Sequence, residues 1–326
     1  MEKLISIFDN ICKKTFELQK LAYEVARPFV SSLSSFGGSL FGILLIGTIL
    51  SDCSDEEAGR ENQQQNAAEP IRLAYVPWDS EIASTHLVKA VITERLGEPV
   101  KTVSVPLTAL WASVASGDID ASVAAWLPTL QRKQRQDYGD ELEILGPHLE
   151  GTRIGLAVPQ YVPIETIGEL KEHRDKFDGK IIGIDPEAGI MQETEAVMET
   201  YGLEKFQLVT GSDSTMTQVL GRAIERRRWL VVTAWTPHWK FAKWDLKYLH
   251  DPRNGFGMTE RIYTLAREGL AEERPRVHAF LKRFSWYVED MEELMLLIEQ
   301  PDVSPETAAR VWMERNKDRV DHWVGG

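Results

Sequence analysis

The chain has 326 residues, 43% hydrophobic and 27% charged. That is too apolar for a disordered polymer, and longer than one core of about 100–150 residues requires. A formal charge of −13 and a pI near 5.1 exclude a nucleic-acid surface that grips phosphates. Two cysteines, Cys12 and Cys53, exclude a disulfide framework.

The first element in chain order is an address. Residues 1–53 read as an export segment: Lys13, Lys14, Lys20 and Arg27 precede a stretch, 28–51, without a charge, whose strongly apolar part is confined to 36–50. A run of that length suits a signal-type segment better than a membrane span. Basic residues before it and acidic residues after it orient the N-terminus inward and export the remainder. Leu50-Ser51-Asp52-Cys53 resembles a bacterial lipobox, which makes Cys53 the candidate for lipidation, although Asp52 stands where a small residue is expected. The alternative is that residues 28–51 stay in place as an anchor. Residues 54–70, polar and free of aromatics, read as a flexible tether.

The folded part shows two related halves, each with a β-loop-α-β-α-β order that marks an α/β fold. A strand at 71–76 runs into Pro77-Trp78-Asp79-Ser80, with Asp79 or Ser80 capping a helix over 81–96. A strand at 101–105, a helix at 107–115 and a strand at 121–124 follow, the last ending in Ala125-Trp126-Leu127-Pro128. The plan recurs 109 residues later. A strand at 181–184 meets Asp185-Pro186-Glu187-Ala188-Gly189-Ile190 and a helix ending near Tyr201; a strand at 207–209, a helix at 214–226 and a strand at 230–233 lead to Ala234-Trp235-Thr236-Pro237. Pro77 aligns with Pro186, Trp126 with Trp235 and Pro128 with Pro237. From about Gly255 onward helical spacing dominates, with Ser304-Pro305-Glu306 opening a late helix. If these tail helices return to the first half, the chain crosses between halves near Ala157 and near Tyr248. The expected division is residues 71–156 with 249–326 as lobe 1 and 157–248 as lobe 2.

Ligands of α/β sheets bind beyond the carboxyl ends of the strands. The loops there carry Trp78, Trp126, Gly189-Ile190 and Trp235-Thr236-Pro237-His238, with Lys240 at the edge. Three indoles suit a bulky cation, because a quaternary ammonium has no N–H to donate and only an electron-rich face attracts it. A helix start with free amides, joined by His238, suits an anion at the ligand's other end.

Four ordered stretches carry a resemblance: Tyr75-Val-Pro-Trp-Asp-Ser-Glu-Ile-Ala-Ser-Thr85, Gly117-Asp-Ile-Asp120 with Ala125-Trp-Leu-Pro128, Gly183-Ile-Asp-Pro-Glu-Ala-Gly-Ile-Met191, and Ala234-Trp-Thr-Pro-His-Trp239 with Asp245-Leu-Lys-Tyr-Leu249. Over about residues 70–326 the chain resembles the glycine betaine-binding proteins of osmoprotectant ABC importers. The resemblance implies a two-lobed type II periplasmic-binding-protein fold with the ligand in the cleft. It also implies an aromatic cage of Trp78, Trp126 and Trp235, and a carboxylate held by His238 and the amides of Gly189 and Ile190. Glu187 stands where that family often has glycine.

A protein of this kind needs no cofactor and no metal, works outside the cytoplasm tethered to the membrane, acts as a monomer, and hands its zwitterionic ligand to a permease with separate ATPase subunits. A membrane-anchored sensing module for betaine- or choline-type compounds is the alternative. Enzymatic readings find no support: the seven histidines show no metal-ligand spacing, and no Gly-x-Ser-x-Gly elbow or phosphate loop is present. Trp239 and Trp244 are expected to pack rather than bind, and Asp79 to cap.

Overall fold

A computed structural model describes residues 69–325. Cys53, the apolar run 28–51 and the tether up to residue 68 lie outside the described residues. Among the described residues no helix is long and apolar enough to cross a membrane.

The chain runs β1 (Ile71–Tyr75), α1 (Asp79–Val91), β2 (Val100–Ser104), α2 (Leu107–Ala115), β3 (Ala121–Leu127), α3 (Arg132–Tyr138), β4 (Leu142–Leu149) and β5 (Arg153–Pro159). It continues through β6 (Lys180–Ile182), α4 (Gly189–Tyr201), β7 (Gln207–Val209), α5 (Asp213–Glu225), β8 (Val232–Thr236), α6 (Lys240–Lys243), β9 (Leu246–Tyr248) and β10 (Arg261–Arg267). The tail supplies α7 (Leu270–Glu273), α8 (Pro275–Arg283), α9 (Val288–Ile298), α10 (Pro305–Arg315) and α11 (Lys317–Val324).

Two five-stranded sheets result, ordered β2-β1-β3-β10-β4 and β7-β6-β8-β5-β9. Their plans match strand for strand. In each, three parallel strands from a β-α-β-α-β unit are followed by two antiparallel ones. The repeat seen in the sequence is therefore a repeat of sheet topology, and the two lobes are two mixed α/β units.

Two expectations are corrected. Ala157 is no crossing point: it lies inside β5, pairing with Val232 on one side and Tyr248 on the other. The run Ile154-Gly155-Leu156-Ala157-Val158 is small and apolar throughout, as a strand flanked on both edges must be. The chain thus leaves the first sheet between Leu149 and Arg153 and returns to it between Tyr248 and Arg261. Second, the tail, mainly helical as its spacing predicts, also contributes one strand that the spacing does not show. Arg261–Arg267 forms β10 between β3 and β4, with Ile262 and the Thr264–Ala266 run buried. Its partner β4 holds Pro147, tolerated because β4 is a sheet edge.

One apolar core fills the first lobe and continues into Ile184, Ile190, Trp235 and Trp239 of the second. A separate core, including Val158, Ile164, Phe177, Ile181 and Val197, backs the second sheet. Ser304 caps α10 through the Thr307 amide with Pro305 in its first turn, as its sequence predicts, and α9 and α10 pack on α1. The tail therefore fixes the helix that follows the first tryptophan-bearing loop.

Candidate functional site

Trp78, Trp126 and Trp235 line one narrow cavity. Trp78 stands just before α1, Trp126 near the end of β3 and Trp235 near the end of β8. The first two belong to one lobe and the third to the other, so the cavity lies between the sheets. Leu107, Leu130, Gln131, Ile184, Ala188, Gly189 and Ile190 complete the wall. Gln131 has both ends of its amide engaged, accepting from Trp111 Nε1 (2.6 Å) and donating to the Ala124 carbonyl (2.8 Å). It therefore brings shape rather than a free polar group.

The polar groups left to the cavity include the backbone amides at the start of α4. Gly189 and Ile190 open α4, behind an Ala188 N-cap whose side chain cannot accept. The first amides of a helix have no partner within it and carry the positive end of its dipole. Gly189 is there for space. A Cβ on it would come within 2.7 Å of the carbonyl carbon and Cα of Leu130, and closer still to the Leu130 oxygen. That contact is backbone against backbone across the cleft.

Carboxyl groups orient the indoles from behind. Trp126 Nε1 donates to Glu81 Oε1 at 2.7 Å, and burial lifts the Glu81 carboxyl to about 8. Trp78 Nε1 donates to Asp185 Oδ2 at 2.9 Å, a bond from one lobe to the other. The loop after Trp126 is held by buried Glu260, which accepts from the Thr129 and Leu130 amides at 2.9–3.1 Å.

His238 is placed differently from expectation. Its ring is fully buried and does not line the cavity: Nε2 sits 3.0 Å from Asp213 Oδ1, and Nδ1 accepts from the Lys240 amide at 3.2 Å. With both nitrogens engaged inside the second lobe, His238 has no donor for a ligand carboxylate. Burial depresses its pKa to about 4 despite the neighbouring aspartate, so the ring stays neutral at ordinary pH. Asp79 is also corrected. It makes no side-chain cap; its Oδ2 accepts from Trp239 Nε1, while its own amide donates to Asp213 Oδ2 at 3.1 Å. Burial and Asp213 raise the Asp79 carboxyl to about 7.

The remaining candidates separate cleanly. Glu187 lies outside the cage wall, in a neighbouring cleft with Trp78 and Asp185. Trp239 is buried against Trp244 at 5.2 Å between ring centroids, which is packing, as expected. Glu81, Asp185, Asp213 and Glu260 had no role assigned from sequence. Their partners lie 25 to 134 residues away, so no local spacing marks them.

Residues 69–315 match the family described as the substrate binding domain of ABC-type glycine betaine transport systems. The chain belongs to that family. It is 42% identical over 158 residues to the glycine betaine/carnitine transport binding protein GbuC of Listeria monocytogenes serotype 1/2a (strain 10403S), an alignment covering 48% of this chain and 52% of that protein. The matched segment thus spans about half the length of that curated relative. Among solved structures, lactococcal OpuAC in its closed form with glycine betaine superposes with a TM-score of 0.74 at 38% identity, covering 78% of this chain and 99% of that one. The glycine/betaine/L-proline-binding protein ProX of Borrelia burgdorferi gives 0.74 at 35% identity, covering 78% and 96%. The fold is that of the two-lobed periplasmic binding proteins.

Proposed function

We propose that this protein is the extracytoplasmic substrate-binding component of an ABC importer, and that it captures glycine betaine or a related quaternary-ammonium solute between its lobes. The observation that carries the reading is the meeting of three indoles, two from one lobe and one from the other, on a single apolar cavity that also contains the start of α4. The trimethylammonium group is attracted by the faces of Trp78, Trp126 and Trp235, and the carboxylate accepts from the Gly189 and Ile190 amides.

The magnitudes are in keeping with capture and release. Three desolvated cation–π contacts at about 1–2 kcal/mol each supply roughly 3–6 kcal/mol. Two charge-assisted hydrogen bonds at about 1.5–3 kcal/mol each add a similar gross amount. After an association cost of at least about 4 kcal/mol, no more than about 8 kcal/mol remains, so binding is micromolar at its tightest. Closure is favoured by ligand because contacts from both lobes exist together only in the closed state.

The ligand then passes to a membrane permease driven by separate ATPase subunits, with no chemistry performed on it and no cofactor used. The binding unit acts as a monomer, tethered through lipid on Cys53 or through residues 28–51; the mass of the mature N-terminus distinguishes these. A thermal-shift screen of zwitterionic osmolytes and choline tests the central reading. Glycine betaine is expected to raise the melting temperature in a concentration-dependent way, and no shift with any quaternary ammonium would refute it.

A further inference from the structure

Lys240 is the most unusual side chain near the cavity. It is fully buried at the start of α6, its ammonium has no hydrogen-bond partner, and Nζ stands 4.0 Å from the ring centroid of Trp235. Trp235 lines the cavity and Lys240 does not. One of the three cage indoles therefore already carries a cation of the protein's own. The charged groups that act on it are Asp79 on α1, Asp213 on α5 and His238 on its own segment; one step further out, Glu299 at the end of α9 acts on Asp79 and Glu292 on α9 meets the His238 backbone.

We propose that Lys240 is a specificity-determining residue, whose ammonium behind Trp235 disfavours ligands that are cations overall and thereby selects zwitterions. This rests on the cleft being a quaternary-ammonium site. A trimethylammonium group on the same indole sits within about 6 Å of the centroid, so the two positive charges are at most about 10 Å apart in a partly desolvated region. A bare cation such as choline meets that repulsion in full. A betaine carries a carboxylate a few bonds away, and its attraction to the same ammonium offsets most of the penalty. The discrimination is on the order of tenfold in affinity. His238, engaged with Asp213, supplies none of it.

Burial lowers the Lys240 pKa to about 7, with Asp213 and Asp79 opposing the shift. Discrimination is therefore present below that pH and fades above it.

The test is calorimetric titration of the full chain with glycine betaine and with choline. In Lys240→Met, choline affinity is expected to rise about tenfold more than betaine affinity at about pH 6. Lys240→Arg, which keeps a charge, is expected to hold the ratio that wild type shows at about pH 6 up to about pH 8.5, while the wild-type ratio drifts toward that of the Met variant over the same range. The Arg variant and the wild-type pH series carry the test if the Met variant fails to fold. A ratio indifferent to these changes overturns the inference, as does a loss confined to betaine, which would make Lys240 a direct carboxylate ligand. Wild-type protein that binds neither compound overturns the quaternary-ammonium reading itself.

Discussion

Gly189→Ala separates closure from folding. The new methyl would sit 2.7 Å from two backbone atoms of Leu130 and nearer to a third, whereas real Cβ contacts essentially never fall below 3.0 Å. No flexible side chain is available to yield, so the lobes must part. Overpacking of this kind costs about 1–3 kcal/mol, which converts to roughly fivefold to 150-fold weaker binding. The backbone on both sides places the expectation in the upper part of that range. The unliganded protein has no reason to suffer. Gly189 opens a helix without a positive φ, so an alanine there brings no backbone strain. The assay pairs calorimetry with glycine betaine and thermal melting without ligand. The expected result is an unchanged or slightly higher melting temperature with affinity reduced at least tenfold. Unchanged affinity would mean that Leu130 and Gly189 do not meet in the liganded state, and would refute the closure argument.

Trp126→Ala is expected to weaken betaine binding tenfold or more while the far-ultraviolet spectrum stays native; calorimetry with unchanged affinity would remove Trp126 from the cage. Glu81→Gln keeps an acceptor for the Trp126 indole and should retain affinity, whereas Glu81→Leu should lose it, as read by the same titration. The pH dependence of Glu81 has a definite sign: an unfolded carboxyl releases its proton near 4.5 and the folded one near 8, so wild-type stability falls as pH rises between them. Melting of Glu81→Gln should be flatter over that window. His148, with both ring nitrogens unpartnered, is held neutral by burial down to about 3, against an ordinary value of 6.5. The unfolded state therefore binds the extra proton first, and stability falls with acid below 6.5 at about 1.4 kcal/mol per pH unit. His148→Leu should show a shallower acid loss of melting temperature than wild type.

What could be read from the sequence was local. Trp78, Trp126 and Trp235 stand where apolar strands break into proline-bearing turns, and the 109-residue repeat places two of them at equivalent strand ends. The helix start at Gly189 was legible for the same reason, through the turn residues before it. The missing part was tertiary. β10 was hidden in a tail dominated by helical spacing, because a strand between two neighbours shows a mixed apolar run rather than strict alternation. His238 looked free because its partner Asp213 opens a different helix. Asp79 occupied a capping position, yet the Trp239 indole, 160 residues later, claims its carboxylate instead. Lys240 stands at the edge of a motif, and only its burial against Trp235 ties it to the site.

The most direct measurement is a crystal structure of the protein grown with glycine betaine. The account predicts the trimethylammonium group between the rings of Trp78, Trp126 and Trp235, with the carboxylate on the amides of Gly189 and Ile190. Density for the ligand elsewhere in the cleft, with the three rings apart, would contradict it.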